Sequence, residues 1–102
     1  MKSRKIVNAL AALGNPSRFE VFMLLMKQPK GQGVAAGDIS EQLNIPPTTT
    51  SFHLTQLRNA GLISSIKDGR NIYYHAETKR IKKIAKIIAG KKSRTGDKYE
   101  IL

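Results

Sequence analysis

IPPTTTSFHLTQLRNAGLI, residues 45–63, is the stretch around which the rest of the chain is organised. Its double proline places a helix start near Pro47, because proline has no N–H to lose in a first turn and its φ is already helical. From there Thr50, Leu54, Leu57 and Gly61 recur at helical spacing, while Thr48, Phe52, Thr55 and Asn59 fall on the opposite side. The helix is expected to end at Asn59 or Ala60. Its outward side carries hydroxyls and one aromatic ring but no charge, in a chain that is otherwise strongly basic. Such a face suits a surface that reads base edges.

Immediately upstream, residues 34–43 (VAAGDISEQL) predict a short third helix, with Ile39 and Leu43 inside and Asp38 and Glu41 near its start and outer face. Asn44 closes it, and Ile45-Pro46-Pro47 makes a tight corner. Two helices joined by so short and stiff a turn form a helix-turn-helix unit. Downstream the period changes to that of strands. Asp68-Gly69, flanked by β-formers, predicts a hairpin pairing Ile63 with Tyr74, Ser65 with Ile72 and Lys67 with Arg70. Those two like charges facing each other mildly destabilise an isolated hairpin, a penalty that contact with phosphates offsets. A hairpin directly after such a helix is a wing. Tyr73 and Tyr74 are expected to be strand residues, one buried and one exposed.

Farther out, Ile6, Val7, Leu10 and Leu13 predict a first helix from about Ser3 to Leu13, ended by Gly14. Asn15-Pro16 restarts the chain as N-cap and first helical residue. The second helix is expected to reach about Lys27, with Phe19, Phe22, Met23, Leu24 and Met26 packing at the centre of the domain rather than lining a ligand pocket. Residues 28–33 form a loop by composition. A last helix, Glu77 to Ala89, has Ile81, Ile84, Ala85 and Ile88 in one stripe and Lys79, Arg80, Lys82, Lys83 and Lys86 on its other face. The expected architecture is mainly α with a small β-hairpin (α+β), a winged helix-turn-helix with four helices, two strands and a fifth helix. Residues 1–90 are expected to form one domain, for DNA binding and dimerisation on the grounds below, and residues 91–102 a basic flexible tail.

The 102 residues suffice for one modest core, and no apolar run approaches the ~20 residues of a membrane span. The start, MKSRKIVNALAALGNPSR, resembles a signal peptide superficially, but Asn8 interrupts it and its spacing is amphipathic, so it reads as a helix. With no cysteine, disulfides, thiolate metal sites and thiol redox sensing are excluded, and a cytoplasmic, nucleoid-associated protein is expected. Eighteen Lys and Arg against seven Asp and Glu give +11, which favours polyanionic partners, nucleic acid before anionic membrane. Nine of the eighteen lie between Lys79 and Lys98, so the charge is concentrated away from the opening stretch.

Several segments also carry a resemblance. ALGNPSRFEVFMLL resembles the opening of the ArsR/SmtB family of winged-helix repressors, DISEQLNIPPTTTSFHLTQLRNAGLI is similar to that family's helix-turn-helix, and KDGRNIYYHA to its wing. Together they cover roughly residues 7 to 76, in order and at the right spacing. The resemblance implies a homodimer that binds an imperfect inverted repeat in a promoter, acts mainly as a repressor, and is often released by a chemical inducer. It also implies that the first and last helices form the dimer interface. By alignment the major-groove contacts fall on Pro47, Thr48, Ser51 and Phe52. Pro47 stands where Gln is frequent and Phe52 where His is frequent; Phe52 can offer only an apolar contact, for example to a thymine methyl. The family's thiol-containing metal motif and the histidine of its last helix have no counterpart, so metal sensing is not supported and no cofactor is expected.

The candidate DNA-binding residues are therefore Thr48, Thr49, Ser51, Phe52 and Gln56 on the helix, with Lys67 and Arg70 on the wing reaching phosphates or the minor groove. Dimerisation is expected through Ile6, Leu10, Ile81, Ile84 and Ile88. His53 reads as a packed structural histidine bonded to a neighbouring element, and His75 with Glu77 is too sparse for a metal site. The lysines of the last helix suit a solvated outer face, ahead of a phosphate track or a membrane-surface helix. The partner is double-stranded operator DNA; the competing readings are a low-specificity architectural DNA-binding protein and a module whose basic helix binds lipid or an acidic protein. No nucleophile-base pair or Gly-rich phosphate loop points to an enzyme.

Overall fold

The computed structural model describes residues 1–90; the expected basic tail, residues 91–102, lies outside them. Along the chain run α1 (Ser3–Leu13), α2 (Pro16–Met26), β1 (Val34–Ala35), α3 (Ala36–Leu43), α4 (Pro47–Asn59), β2 (Ile63–Asp68), β3 (Asn71–Ala76) and α5 (Thr78–Ala89). The strands form one antiparallel sheet in the order β1-β3-β2. This is the winged helix-turn-helix architecture, mainly α with a small sheet.

Local chemistry sets the boundaries. Asn15 caps α2, its Oδ1 accepting from the Arg18 N–H at 2.9 Å, and Pro16 takes the first helical position. The two helices of the helix-turn-helix stop by the same device. At Asn44, with φ 55°, the Ile45 N–H donates to the Ser40 carbonyl at 3.1 Å and the Asn44 N–H to Glu41 at 3.3 Å. At Gly61, with φ 76°, Leu62 donates to Leu57 at 3.0 Å and Gly61 to Arg58 at 2.9 Å. These nested bonds need a residue that tolerates the left-handed region, as glycine and asparagine do. Gly61 thus ends α4 instead of extending its inner side.

α2 lies at the centre, packed against α1, α3 and α4. Its Val21, Phe22 and Leu25 are buried with Ile39, Leu54, Leu57, Leu62, Ile63 and Ile84. Each large side chain buried in this way contributes roughly 1.5–3 kcal/mol. Phe19, expected in that core, is instead exposed: it lies beside a groove between α2 and α3, with Glu20 and Met23.

Two strand expectations are corrected. Val34 and Ala35 open no helix; they pair with Tyr74 and Tyr73 as a third strand, and α3 starts at Ala36. That added strand leaves both tyrosines half-buried instead of one in and one out. The hairpin register is shifted by two residues, with Ile63 opposite Ala76, Ser65 opposite Tyr74 and Lys67 opposite Ile72. The turn residues are Gly69 and Arg70, with positive φ only at Gly69 (65°), the pattern of a type II′ turn with glycine first. Lys67 and Arg70 therefore do not face each other, and the expected like-charge penalty is absent.

α5 follows Glu77, whose N–H donates to the Leu62 carbonyl at 2.8 Å, tying the end of the sheet to the residue that leaves α4. Of its isoleucine stripe only Ile84 is buried, at 1% exposure, whereas Ile81 is half-covered and Ile88 is 57% exposed. Ile84 is thus satisfied inside its own chain and offers nothing to a partner, which corrects its place among the interface residues.

Candidate nucleic-acid interface

The helix-turn-helix holds α4 through one buried polar contact: Ser40 Oγ donates to Thr50 Oγ1 at 2.7 Å. With Thr50, His53, Leu54 and Leu57 directed inward, Thr48, Ser51, Phe52, Thr55 and Asn59 are left exposed along one side. Phe52 is 55% exposed, its ring centroid 6.1 Å from that of His53. Pro47 is exposed at the head of the helix. No side chain caps this end, and neither Pro46 nor Pro47 has an N–H, so the Thr48 and Thr49 amides are the donors offered at the positive end of the helix.

Thr49 and Gln56 stand apart from that row. Both are half-buried on the flank of α4, and Gln56 lines a groove with Asn8 of α1 and Arg18 of α2. On the wing, Lys67 and Arg70 are exposed at and beside the turn. The chain thus presents an exposed row on α4 and a cationic hairpin tip, with Gln56 turned away from the row.

Arg58 escaped sequence reasoning. It is exposed, follows Ser51 and Thr55 at seven- and three-residue spacing, and donates from Nη1 to Ser65 Oγ of β2 at 3.4 Å. A guanidinium therefore edges the row where α4 meets the wing, and the absence of charge applies to the row's centre alone. The spacing signal was present in the sequence, but the contact with β2 needs the fold.

His53 is packed, at 5% exposure, yet among the described residues neither ring nitrogen has a partner, so the expected bond to a neighbouring element is not made there. Burial, with the nearby Arg18 charge, lowers its pKa below the ordinary 6.5 and keeps the ring neutral at neutral pH. Among the described residues no group of three or more His, Asp or Glu is placed to hold a metal, and no helix is long and apolar enough to cross a membrane. Of the expected interface residues, Ile6 and Ile81 are half-buried against the core, while Leu10 and Ile88 are exposed together with Val7 and Ile87.

The model of the bacterial regulatory protein arsR family matches residues 15–65, half of the 102-residue chain, from the cap of α2 into β2. The chain belongs to the ArsR family. It is 38% identical over 71 residues to the transcriptional repressor SdpR of Bacillus subtilis, covering 70% of this chain and 74% of that protein. An ArsR-like transcriptional regulator from Rhodococcus sp. RHA1 superposes with a TM-score of 0.74 at 26% identity, over 83% of this chain and 76% of that one. A homodimeric winged helix-turn-helix DNA-binding domain from Mycobacterium bovis shares the fold, with a TM-score of 0.67 at 22% identity over 84% and 79% of the two chains. Membership of the ArsR family makes this chain a DNA-binding transcriptional regulator, built on a fold whose second helix-turn-helix member is α4.

Proposed function

We propose that this ArsR-family protein is a dimeric repressor that binds an inverted-repeat operator, with α4 in the major groove and the β2–β3 wing beside it. The observation that carries this reading is the exposed row Thr48, Ser51, Phe52 and Thr55, held outward by buried Thr50, Leu54 and Leu57. Hydroxyls bond to base edges, and Phe52 can meet a thymine methyl. The Thr48 and Thr49 amides, Lys67 and Arg70 bind phosphates and fix the register. The net charge of +11 supplies long-range attraction. Dimerisation rests on the apolar surface that the described residues leave exposed on α1 and α5, namely Val7, Leu10, Ile87 and Ile88. The name of the Bacillus subtilis relative supports repression.

Selection of bound sequences from random duplexes tests the proposal. Recovery of a two-fold symmetric site supports it; uniform recovery of all sequences supports the architectural alternative. The alternative of a basic helix that binds lipid or an acidic protein has its own test. Changing Lys82, Lys83 and Lys86 to Gln should abolish such an activity and leave operator binding largely intact.

A further inference from the structure

The groove containing Gln56 lies outside the proposed base-reading row. Its walls are Asn8 of α1, Arg18 of α2, and Gln56 and Asn59 of α4, with Ala12 and Ala60 as small floor residues. Among the described residues the polar lining is one guanidinium and three carboxamides, with no carboxylate. Glu20, two residues beyond Arg18, lies in the separate groove between α2 and α3. Arg18 is half-buried and held twice: its backbone N–H donates to the Asn15 side chain and its side-chain Nε to the Ala12 carbonyl. That second bond engages a backbone oxygen, not an acid, and among the described residues it leaves the terminal nitrogens of the fork for another acceptor. A half-buried cation is normally matched by an anion, because desolvation without one is unfavourable. The neighbouring His53 stays neutral and adds no second charge.

From these observations we infer that the α1–α2–α4 groove is a phosphate-binding site, occupied by a backbone phosphate of the bound DNA next to the stretch that α4 reads. Arg18 supplies the charge-assisted bonds, and Gln56, Asn59 and Asn8 donate from their amides. The small floor lets the strand come close. Asn59 belongs both to the groove and to the exposed side of α4, so a duplex docked on that row runs past the groove mouth. The inference rests on the proposed DNA docking and adds a contact on the side of α4 opposite the wing.

The test measures affinity against salt for Arg18→Gln on a selected operator duplex and on a random duplex. Loss of one phosphate contact per subunit should weaken both by about five- to tenfold and make the dimer's log–log salt slope about 1.8 units shallower. Asn8→Asp, which places a carboxylate in the groove from an exposed helix position, should weaken both duplexes more than Gln32→Asp, the same charge change in the α2–β1 loop. An unchanged slope in Arg18→Gln, or equal effects of the two Asp variants, overturns the site. If Arg18→Gln does not fold, the two Asp variants decide. Binding of inorganic phosphate that Arg18→Gln abolishes while the DNA slope stays put would assign the groove to a free anion and also overturn the inference. Failure of the wild-type protein to bind either duplex would instead defeat the DNA-binding reading itself, and the groove with it.

Discussion

Ser40 and Thr50, ten residues apart, meet through a 2.7 Å hydroxyl–hydroxyl hydrogen bond that joins the two helices of the helix-turn-helix below the exposed row. Thr50 has no exposed surface and Ser40 very little, so neither hydroxyl can turn to water. Removing one partner strands the other in a buried site, at a cost of about 1–3 kcal/mol. Thr50→Val and Ser40→Ala should each lower stability by that order in urea unfolding. The double variant should recover part of the loss, because no unpaired hydroxyl then remains.

His53 supplies a pH dependence with a defined sign. Its folded-state pKa lies below the ordinary 6.5, so the unfolded chain takes up the proton first as pH falls. Its contribution is complete above about pH 7 and is lost progressively as pH drops through 6.5 toward the lowered value. His53→Leu should flatten the fall in thermal midpoint between about pH 7 and 5. An equally steep fall in that variant would contradict the assignment to His53.

Salt dependence tests the division of labour between wing and helix. If each subunit neutralises about four phosphates, the dimer's log K should fall against log salt with a slope near −7. A slope shallower than about −3 would contradict phosphate-dominated docking. Lys67→Gln with Arg70→Gln should flatten the slope and weaken selected and random duplexes alike.

Two isoleucines of α5 should behave differently. Ile84→Ala removes a side chain buried in its own chain and should cost about 2–5 kcal/mol of stability. Ile88→Lys alters an exposed position and should leave the fold intact while shifting the species seen by light scattering from dimer to monomer. A wild-type monomer at micromolar concentration, whatever the salt, would contradict the dimer.

Signals confined to one element were legible in the sequence. Asn15-Pro16 and Pro46-Pro47 mark starts because their effect depends on neighbouring backbone alone. The spacing of Thr50, Leu54 and Leu57 gave the inner side of α4 because one helix face fixes it. Hairpin register was not legible, because the run Asp68-Gly69-Arg70-Asn71 contains two acceptable two-residue turns, Asp-Gly and Gly-Arg. The choice between them depends on how β3 also pairs with β1, a strand of two residues that carries no periodicity. Ile84 and Ile88 share a helical stripe, and only the placement of α5 against the body separates the covered one from the exposed one. Arg58 was hidden for a similar reason: Ser65 lies seven residues on, across the Gly61 turn.

In the proposed complex the uncharged row on α4 discriminates between sequences while charge elsewhere attracts. The most direct test is the ratio of affinities for the selected operator and a random duplex, compared between wild type and the Thr48→Ala, Ser51→Ala, Phe52→Ala triple variant. The expected result is a wild-type ratio of about a thousandfold or more that collapses toward one in the variant, with random-duplex affinity nearly unchanged. A variant that keeps the wild-type ratio, or loses affinity for both duplexes equally, would contradict it.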